Sequence, residues 1–229
     1  MGRGKSAIVC GGTGLYVRAA LDAMEFPAGE QVGNDVRDRY QAFAQEHGAD
    51  ALHALLAERD PESAALIHPN NVRRVIRAFE LLEEGETTYA RQHAGLAVLA
   101  EHIPASYYGI TMEREALYRR IDARVDAMVA NGLRDEIARL LEAGLRDALT
   151  APQAIGYKEL IEPIEAGEGP GDAAFDEGIE QIKMASRRYA KRQLTWFNKD
   201  KRIEWHVREE GDDAFAERLA SHIVGRVDG

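Results

Sequence analysis

The stretch AIVCGGTGLY, residues 7–16, decides the fold class that this sequence predicts. It begins with a short apolar run, residues 7–10, that ends at two glycines, and a helix-compatible run, residues 15–24, follows directly. This order is typical of a buried strand, a tight turn and the start of a helix. A strand joined to a helix in this way indicates an α/β protein.

The glycine turn within this stretch is the first candidate site. Gly11 and Gly12 allow the backbone to approach a ligand closely, and Thr13 places a hydroxyl group at the turn. We expect the turn at the carboxyl end of a strand, where open α/β sheets bind ligands. The alternative is an ordinary strand–helix turn in which Thr13 caps the helix. The spacing alone does not decide between the two.

Composition limits the classes of protein to which the chain can belong. A net charge of −10 argues against a generally basic nucleic-acid-binding protein, so any RNA contact must come from local basic patches. No apolar run approaches the length of a membrane span and no signal peptide is recognisable, so we expect a cytoplasmic protein without a membrane partner. The single cysteine, Cys10, excludes an internal disulfide and is expected to be a small buried residue of the first strand.

The chain divides into an α/β core and a helical lobe. From about residue 34 to residue 95 the patterns are helical, without a convincing strand. We therefore predict an all-helical lobe, residues 29–99, inserted into a core that is formed by residues 1–28 and 100–229. Further strands of the core are predicted at residues 106–111 and 202–205.

A helix of the lobe carries an unusual set of arginines. Asn70 or Asn71 can cap its start, and the three-four spacing predicts one buried face: Val72, Val75, Ile76, Phe79 and Leu82. Its first turns also carry Arg73, Arg74 and Arg77. The helix dipole disfavours cations there, so the arrangement is explained if an anion binds these side chains. The alternative is a solvated face whose arginines pair with Glu80 and Glu84.

Arg124 is the second unusual arginine. A helix predicted from about residue 113 to residue 130 has an apolar stripe, and Arg124 falls within it at 100° per residue. A charge in that position is costly unless it is paired. Its partner can be a carboxylate, or a phosphate that suits the fork of a guanidinium group. Both possibilities stay open at this point.

Two later segments also combine cations with aromatic rings. Gly156, Tyr157 and Lys158 can stack a base and hold a phosphate, although a tyrosine in such a helical segment is more often a core residue. In the last long helix, residues 175–197, one half carries five cations: Lys183, Arg187, Arg188, Lys191 and Arg192. No acidic residue lies within the row of Lys183, Arg187 and Lys191, so these cations repel each other unless an anion binds. The alternative is a solvated basic face.

Four segments in this order resemble the tRNA dimethylallyltransferases, the IPP transferase family. They are GGTGLY at residues 11–16, HPNNVRRVIRA at 68–78, AIGYKE at 154–159 and RRYAKRQLTWF at 187–197. The resemblance implies a partial P-loop-NTPase-like parallel sheet flanked by helices. It also implies transfer of a dimethylallyl group from dimethylallyl diphosphate to N6 of the adenine that follows the tRNA anticodon. The partners are then the tRNA anticodon stem-loop and dimethylallyl diphosphate, with Mg²⁺ as cofactor and without DNA. A base modified in this way must leave its stack.

The resemblance also implies roles for individual residues. Thr13 is expected beside the target adenine, and Arg124 at the diphosphate. Expected contacts with tRNA are Thr13, Arg37, Arg73, Arg74, Val75, Ile76, Arg77, Gln153, Ala154, Ile155, Gly156, Tyr157 and Lys158. Expected along the substrate channel, besides Arg124, are Arg187, Lys191 and Arg192. The catalytic pair on this view is Thr13 and Arg124.

The chain departs from the family pattern at its start. The family opens with a strand, a P-loop for diphosphate and Mg²⁺, and an aspartate proposed as the base for N6, all ahead of the GGT turn. Here that turn is already at residue 11, so the ligand-bearing loop for Mg²⁺ is missing, and we expect this chain alone to be inactive or nearly so. Alternatives are a prenyltransferase for free adenine nucleotides, a non-catalytic tRNA-binding fragment, and a plain interaction domain. The helical lobe with Arg73, Arg74 and Arg77 favours tRNA over a free nucleotide.

Overall fold

The computed structural model describes residues 6–24, 35–85, 87–97 and 101–227. The chain forms two compact units. The helical unit comprises Met1–Val9 and Leu15–Ala105, and the sheet unit comprises Cys10–Gly14 and Ser106–Gly229. The assignment of residues 1–28 and 100–229 to a catalytic core, and of 29–99 to a tRNA-binding lobe, stays a prediction.

The described residues of the helical unit form α1 (Gly14–Leu21, beginning at the last residue of the sheet unit's short segment), α2 (Asp35–His47), α3 (Ala49–Arg59), α4 (Pro61–Leu66), α5 (Val72–Glu84) and α6 (Tyr89–Ala97). Its core is built from α2, α3 and α5, where the rings of Tyr40 and Phe79 stack with their centroids 3.9 Å apart. Among the described residues between 35 and 97 no strand is present, as predicted.

Helix α5 begins at one of the two caps that its sequence predicts. The Asn71 side chain accepts a hydrogen bond from the Arg74 amide, 3.4 Å away, which satisfies one of the free donors of the first turn. Gly85 ends the helix with φ at 76°, a left-handed conformation that glycine adopts without strain. Between these ends, the predicted apolar face is buried or half-buried against α2 and α3.

The sheet unit contains β1 (Tyr107–Thr111), α7 (Arg114–Ala130), α8 (Leu133–Glu142), α9 (Ile161–Glu165), α10 (Ala173–Phe197), β2 (Ile203–Val207) and α11 (Phe215–Val227). Two short 3-10 turns, Leu145–Asp147 and Ala151–Gln153, connect α8 to α9. The strands predicted at 106–111 and 202–205 are confirmed, and they pair in parallel with Gly109 opposite Trp205. A Cβ atom at residue 109 would lie 2.6 Å from the Trp205 ring, so glycine here leaves room for that ring to lie against β1. Helices α7 to α10 share the apolar core of this unit.

The first predicted strand is wrong. Residues 7–10 have no regular secondary structure, Ile8 is 91% exposed, and Cys10 is exposed rather than buried. An apolar run becomes a strand only when a neighbouring strand accepts its backbone hydrogen bonds, and the described sheet consists of β1 and β2. The fold is therefore α/β, as predicted, but mostly helical, with a small parallel sheet of two strands. None of the described helices combines the length and the apolar character needed to cross a membrane.

Candidate functional site

The glycine turn of the sheet unit lies directly on α10. We call residues 11–14 the threonine turn. Its Gly12 carbonyl accepts a hydrogen bond of 2.8 Å from the Gln193 side-chain amide, and a Cβ atom at Gly14 would lie 2.0 Å from the Trp196 ring. The glycines thus allow the close approach that the sequence predicts, but the partner that comes close is a helix of the same chain.

The turn places the Thr13 hydroxyl at an exposed position beside α10. Its oxygen lies 3.5 Å from the phenol oxygen of Tyr189, and the Arg192 guanidinium lies over the Tyr189 ring, 5.5 Å from the centroid. We call Thr13, Tyr189, Arg192 and Gln193 the threonine cluster. It combines two hydroxyl groups, an amide, a cation and an aromatic face within one short stretch of helix surface.

Two aromatic residues of α10 lie at this surface. At 100° per residue Tyr189 and Trp196 share an arc of the helix with Ile179 and Ile182, but both are 38% exposed. The α10 residues of the buried apolar cluster end at Ile182, and the threonine turn contacts the later residues Gln193 and Trp196. The partial exposure makes the Tyr189 ring available to a ligand.

Two cations of α10 are already neutralised by α7. Arg187 Nη1 donates to both carboxylate oxygens of Asp122, at 2.6 and 2.7 Å. Lys183 Nζ lies 2.8 Å from Asp126 and 2.9 Å from Glu180, and hydrogen bonds to these carboxylates raise the pKa of Lys183 above its ordinary value. The repulsion predicted within the row is thus relieved by carboxylates of a neighbouring helix, and no bound anion is required.

The remaining cations of this face are available for binding. Arg188, Lys191 and Arg192 are exposed, and none of them forms an ion pair with the part of the chain that the structure describes. The five predicted cations therefore separate into a structural pair and a free group. The resemblance implies that Arg187, Lys191 and Arg192 line the substrate channel. Lys191 and Arg192 belong to the free group, whereas Arg187 belongs to the structural pair.

Arg124 does not have the predicted inward position. Its side chain is exposed and forms no ion pair within the described ranges. Helix α7 turns Val125 into the core against α8 and α10, and Arg124 is rotated from it by about 100°. The apolar residues of the predicted stripe are Leu117, Ile121, Val125 and Met128. Of these, Val125 is buried and the other three are half-buried. The expected role of Arg124 at a diphosphate stays a prediction.

The segment from Gln153 to Lys158 borders a cleft of about 450 Å³. Its lining consists of Met128, Asn131, Leu133, Glu136, Ala154, Ile155 and Tyr157. The Tyr157 hydroxyl donates to Glu136 Oε1 at 2.5 Å, and this hydrogen bond, with some burial, raises the pKa of Tyr157. The sequence leaves two alternatives for Tyr157, a buried core residue or an exposed ring on which a base stacks. Tyr157 is half-buried, so it matches neither alternative fully.

One residue of this segment, Gly156, has an unusual backbone conformation. Gly156 has φ at +107°, and its amide donates to Glu159 Oε2 at 2.9 Å. This left-handed conformation disfavours any other residue. Gln153, Ala154 and Lys158 are exposed, and Ile155 is half-buried, so the structure brings the predicted contact segment to the surface.

In the helical unit, two predicted arginines converge on one buried carboxylate. Glu80 is fully buried; its Oε1 accepts from Arg37 Nε at 2.7 Å and its Oε2 from Arg77 Nη1 at 3.0 Å. Arg77 also lies 3.9 Å from Glu84. Of the two alternatives for the arginines of α5, Arg77 therefore follows the second: it pairs with Glu80 and Glu84.

The other predicted residues of α5 fall into two groups. Arg73 and Arg74 are exposed, without an ion pair to any described residue. The resemblance implies that Val75 and Ile76 contact tRNA. Their side chains are 0% and 2% exposed, so they are not available for that contact in this structure. They pack the core that positions the two free arginines.

A second polar network at the same helix was not predicted. Glu83 binds Tyr40 at 2.7 Å, Arg59 at 3.1 Å and also Arg39. Burial raises the pKa of Glu83 by itself, but the hydrogen bonds from these three groups outweigh it and lower the pKa. Burial, followed by the bond to Glu83, raises the pKa of Tyr40. This network fixes α2 and α3 to α5.

Two signals in the sequence could have identified the missed partners. Asp122 and Asp126 are four residues apart on α7, as are Lys183 and Arg187 on α10, which is the spacing of two ion pairs between neighbouring helices. Gln193 follows Tyr189 by four residues, so both face the same side of α10.

Together, these features define the class of the protein. It is an α/β protein in which a glycine turn, aromatic rings and unpaired arginines and lysines form surfaces suited to a nucleic acid. The model of the IPP transferase family matches residues 1–200. The chain belongs to this family.

Named relatives agree with this assignment. The chain is 43% identical over 229 residues to a tRNA dimethylallyltransferase of Geobacillus kaustophilus, covering 98% of this chain and 70% of that protein. It is 47% identical over 208 residues to the enzyme of that name from Geobacillus thermodenitrificans, covering 89% and 62%. The chain thus spans 62% to 70% of the length of these two curated relatives.

Solved structures show the same relationship. The crystal structure of a tRNA isopentenylpyrophosphate transferase from Staphylococcus epidermidis is 34% identical, with a TM-score of 0.56, covering 99% of this chain and 70% of that one. A eukaryotic dimethylallyltransferase acting on tRNA is 25% identical, with a TM-score of 0.70, covering 95% and 56%. The fold predicted from the sequence is confirmed by these structures.

Proposed function

We propose that this chain acts in tRNA modification, as the names of its relatives state for them. It binds the anticodon stem-loop and receives the adenine that follows the anticodon, whose N6 accepts a dimethylallyl group from dimethylallyl diphosphate. The observation that carries this proposal is the threonine cluster, in which Thr13 lies 3.5 Å from Tyr189 with Arg192 over the tyrosine ring.

The threonine cluster has the chemistry that an unstacked adenine requires. The Thr13 hydroxyl can both donate and accept, which suits the mixed donor and acceptor edge of adenine. The Tyr189 ring offers a flat surface on which a base can stack, and Arg192 lies beside it. A base inserted there is out of its own stack, as chemistry at N6 demands.

The free cations supply the contacts to the phosphate backbone. Arg188, Lys191 and Arg192 on α10, and Arg73 and Arg74 on α5, are exposed and without an ion pair among the described residues. In a chain of net charge −10, such cations act locally. Arg37 and Arg77 differ, because Glu80 already holds them; we propose that they position α5 and present their remaining donors to tRNA.

The two carboxylates of α7 that face α10 do not fit the Mg²⁺ ion that the family implies. Mg²⁺ is bound through oxygen ligands in octahedral geometry, usually carboxylates together with substrate phosphates. The carboxylates that face α10, Asp122 and Asp126, are engaged by Arg187 and Lys183. We therefore assign no residue of the described ranges to Mg²⁺, and a requirement for it stays a prediction, as does the cytoplasmic location.

A stem-loop binding assay tests this function independently of turnover. The affinity of the whole chain for an anticodon stem-loop is measured between 50 and 200 mM salt, with Lys191→Ala/Arg192→Ala and a matched control, Arg139→Ala/Lys201→Ala, whose residues are also exposed. If two phosphate contacts are lost, the slope of log K against log salt falls by about 1.4 to 1.8 in the first variant. Equal slopes in both variants would reject the proposed surface.

A transfer assay then shows which acceptor, the tRNA stem-loop or a free adenine nucleotide, receives the dimethylallyl group. Dimethylallyl transfer is measured on the stem-loop and on AMP, and we expect any product to form on the stem-loop. Transfer to AMP alone would favour the free-nucleotide alternative. Binding without turnover would support the non-catalytic alternative.

A further inference from the structure

Three potential metal ligands meet on the two-stranded sheet. Glu204 and His206 are two residues apart on β2 and therefore face the same side of the sheet. Helix α11 covers that side and contributes His222. One ligand atom from each of the three residues lies within 4.8 Å of the other two. None of them belongs to the threonine cluster or to the free cations.

Two distances within this group are close to the spacing of ligands around a metal ion. His222 Nε2 lies 2.8 Å, and His206 Nε2 3.4 Å, from the same oxygen, Glu204 Oε1. Ligands at about 2.1 Å in a tetrahedral zinc site are about 3.4 Å apart. A central ion therefore requires only small side-chain movements.

His206 has an unsatisfied nitrogen that points to a missing partner. Its Nε2 atom is buried and, despite lying 3.4 Å from Glu204, makes no hydrogen bond. A buried polar atom without a partner is rare in folded proteins and calls for a water or an ion. A metal ion bound by Nε2 satisfies this atom.

The surroundings hold the ligands in place. Arg226 Nη1 binds the second Glu204 oxygen, Oε2, at 2.6 Å, which leaves Oε1 directed at the two histidines. The Tyr108 ring packs near both imidazoles, with centroid distances of 5.9 Å to His206 and 6.1 Å to His222. Outer contacts of this kind fix ligand orientation in metal sites. Glu204 is thus a positioned carboxylate.

We propose that Glu204, His206 and His222 bind a divalent transition-metal ion of the Zn²⁺ class. Two imidazole nitrogens and one carboxylate oxygen are a common donor set for Zn²⁺, with water completing the coordination, whereas Mg²⁺ prefers oxygen ligands throughout. The ion would join α11 to β2 and stabilise the C-terminal part of the sheet unit. Without a metal, the same residues form only a polar network in which His222 and Arg226 bind Glu204.

Metal binding is tested on the tag-free whole chain after treatment with EDTA. Zn²⁺ and Mg²⁺ are titrated by calorimetry, Co²⁺ is followed by its visible absorption, and thermal unfolding is recorded with and without Zn²⁺. We expect one Zn²⁺ per chain, a Co²⁺ spectrum of tetrahedral type and a raised Tm. Absence of saturable Zn²⁺ binding, or equal binding of Mg²⁺, would overturn the proposal.

The variants locate the site. His222→Gln and Glu204→Gln should each weaken Zn²⁺ binding at least tenfold and abolish the rise in Tm. His222 is exposed, so its variant is expected to fold. The matched control is His47→Gln, because His47 lies 3.7 Å from Glu46 on the surface of α2, without a third potential ligand among the described residues. Zn²⁺ binding that is unchanged in His222→Gln, or lost equally in His47→Gln, contradicts the assignment.

Discussion

The side-chain amide of Gln193 donates a hydrogen bond to the Gly12 carbonyl, which is 181 residues earlier in the chain. This bond fixes the threonine turn on α10 and so sets where the Thr13 hydroxyl lies. The proposed adenine site thus depends on a contact between distant parts of the sequence, and the glycines of the turn are the residues that permit it.

The first prediction concerns the space at the threonine turn. Gly14→Ala places a methyl group 2.0 Å from Trp196, so the turn must move away from α10. We expect altered tryptophan fluorescence, a loss of stability of about 1 to 3 kcal/mol and weaker stem-loop binding. Gly11→Ala is the control, since nothing lies within 4 Å of its added Cβ atom. Similar effects of both variants would show that packing on Trp196 is unimportant.

The second prediction concerns the pairing of α10 with α7. Arg187→Ala removes the partner of Asp122, and a double-mutant cycle with Asp122→Ala should give a coupling of about 0.5 to 1 kcal/mol in urea unfolding. Stem-loop affinity should fall less in Arg187→Ala than in Lys191→Ala. A larger loss of affinity in Arg187→Ala than in Lys191→Ala would support the role of Arg187 in the substrate channel that the resemblance implies.

The third prediction separates support from contact on α5. Glu80→Gln leaves two arginines beside a buried neutral amide, so we expect a loss of about 3 kcal/mol in unfolding free energy. Arg73→Ala/Arg74→Ala should change stability by less than about 0.5 kcal/mol, because both side chains are exposed, yet weaken stem-loop binding. Unchanged RNA affinity in this double variant would remove α5 from the proposed interface.

The fourth prediction concerns pH. The pKa of Glu83 is lowered from 4.5 in the folded state, so its ionised form stabilises the fold above the unfolded pKa. This stabilisation is lost as the pH falls through the folded pKa. Glu83→Gln should therefore unfold about 1 kcal/mol more easily at pH 7, and the difference should shrink below about pH 4.

Denaturant unfolding at pH 7, 5 and 3.5 measures this effect. The control is Glu58→Gln, at an exposed position of α3. A difference between wild type and Glu83→Gln that is constant over this range would mean that the Glu83 charge contributes nothing.

Local signals in the sequence were sufficient for much of the fold. The Asn71 cap, the three-four apolar spacing and Gly85 define α5 correctly, because they act within a few residues. The strands predicted at residues 106–111 and 202–205 are likewise present, whereas their parallel pairing was implied only by the family resemblance.

Exposure could not be predicted in the same way. Whether Arg124, Tyr189 or residues 7–10 are buried depends on which element packs against them, and helix or strand periodicity does not contain that information. The ion pair of Asp122 and Arg187 joins residues 65 positions apart, so each helix alone suggested an uncompensated charge.

The central claim is that Thr13 receives the adenine that follows the anticodon. It is tested most directly by the affinities of the wild type and of Thr13→Val for two stem-loops, with adenine or guanine at that position. Valine keeps the shape of threonine and removes only the hydroxyl group. The account predicts that the wild type prefers the adenine stem-loop at least tenfold and that Thr13→Val loses most of this preference. Equal affinities of the wild type for the two stem-loops, or a preference that survives in Thr13→Val, would contradict it.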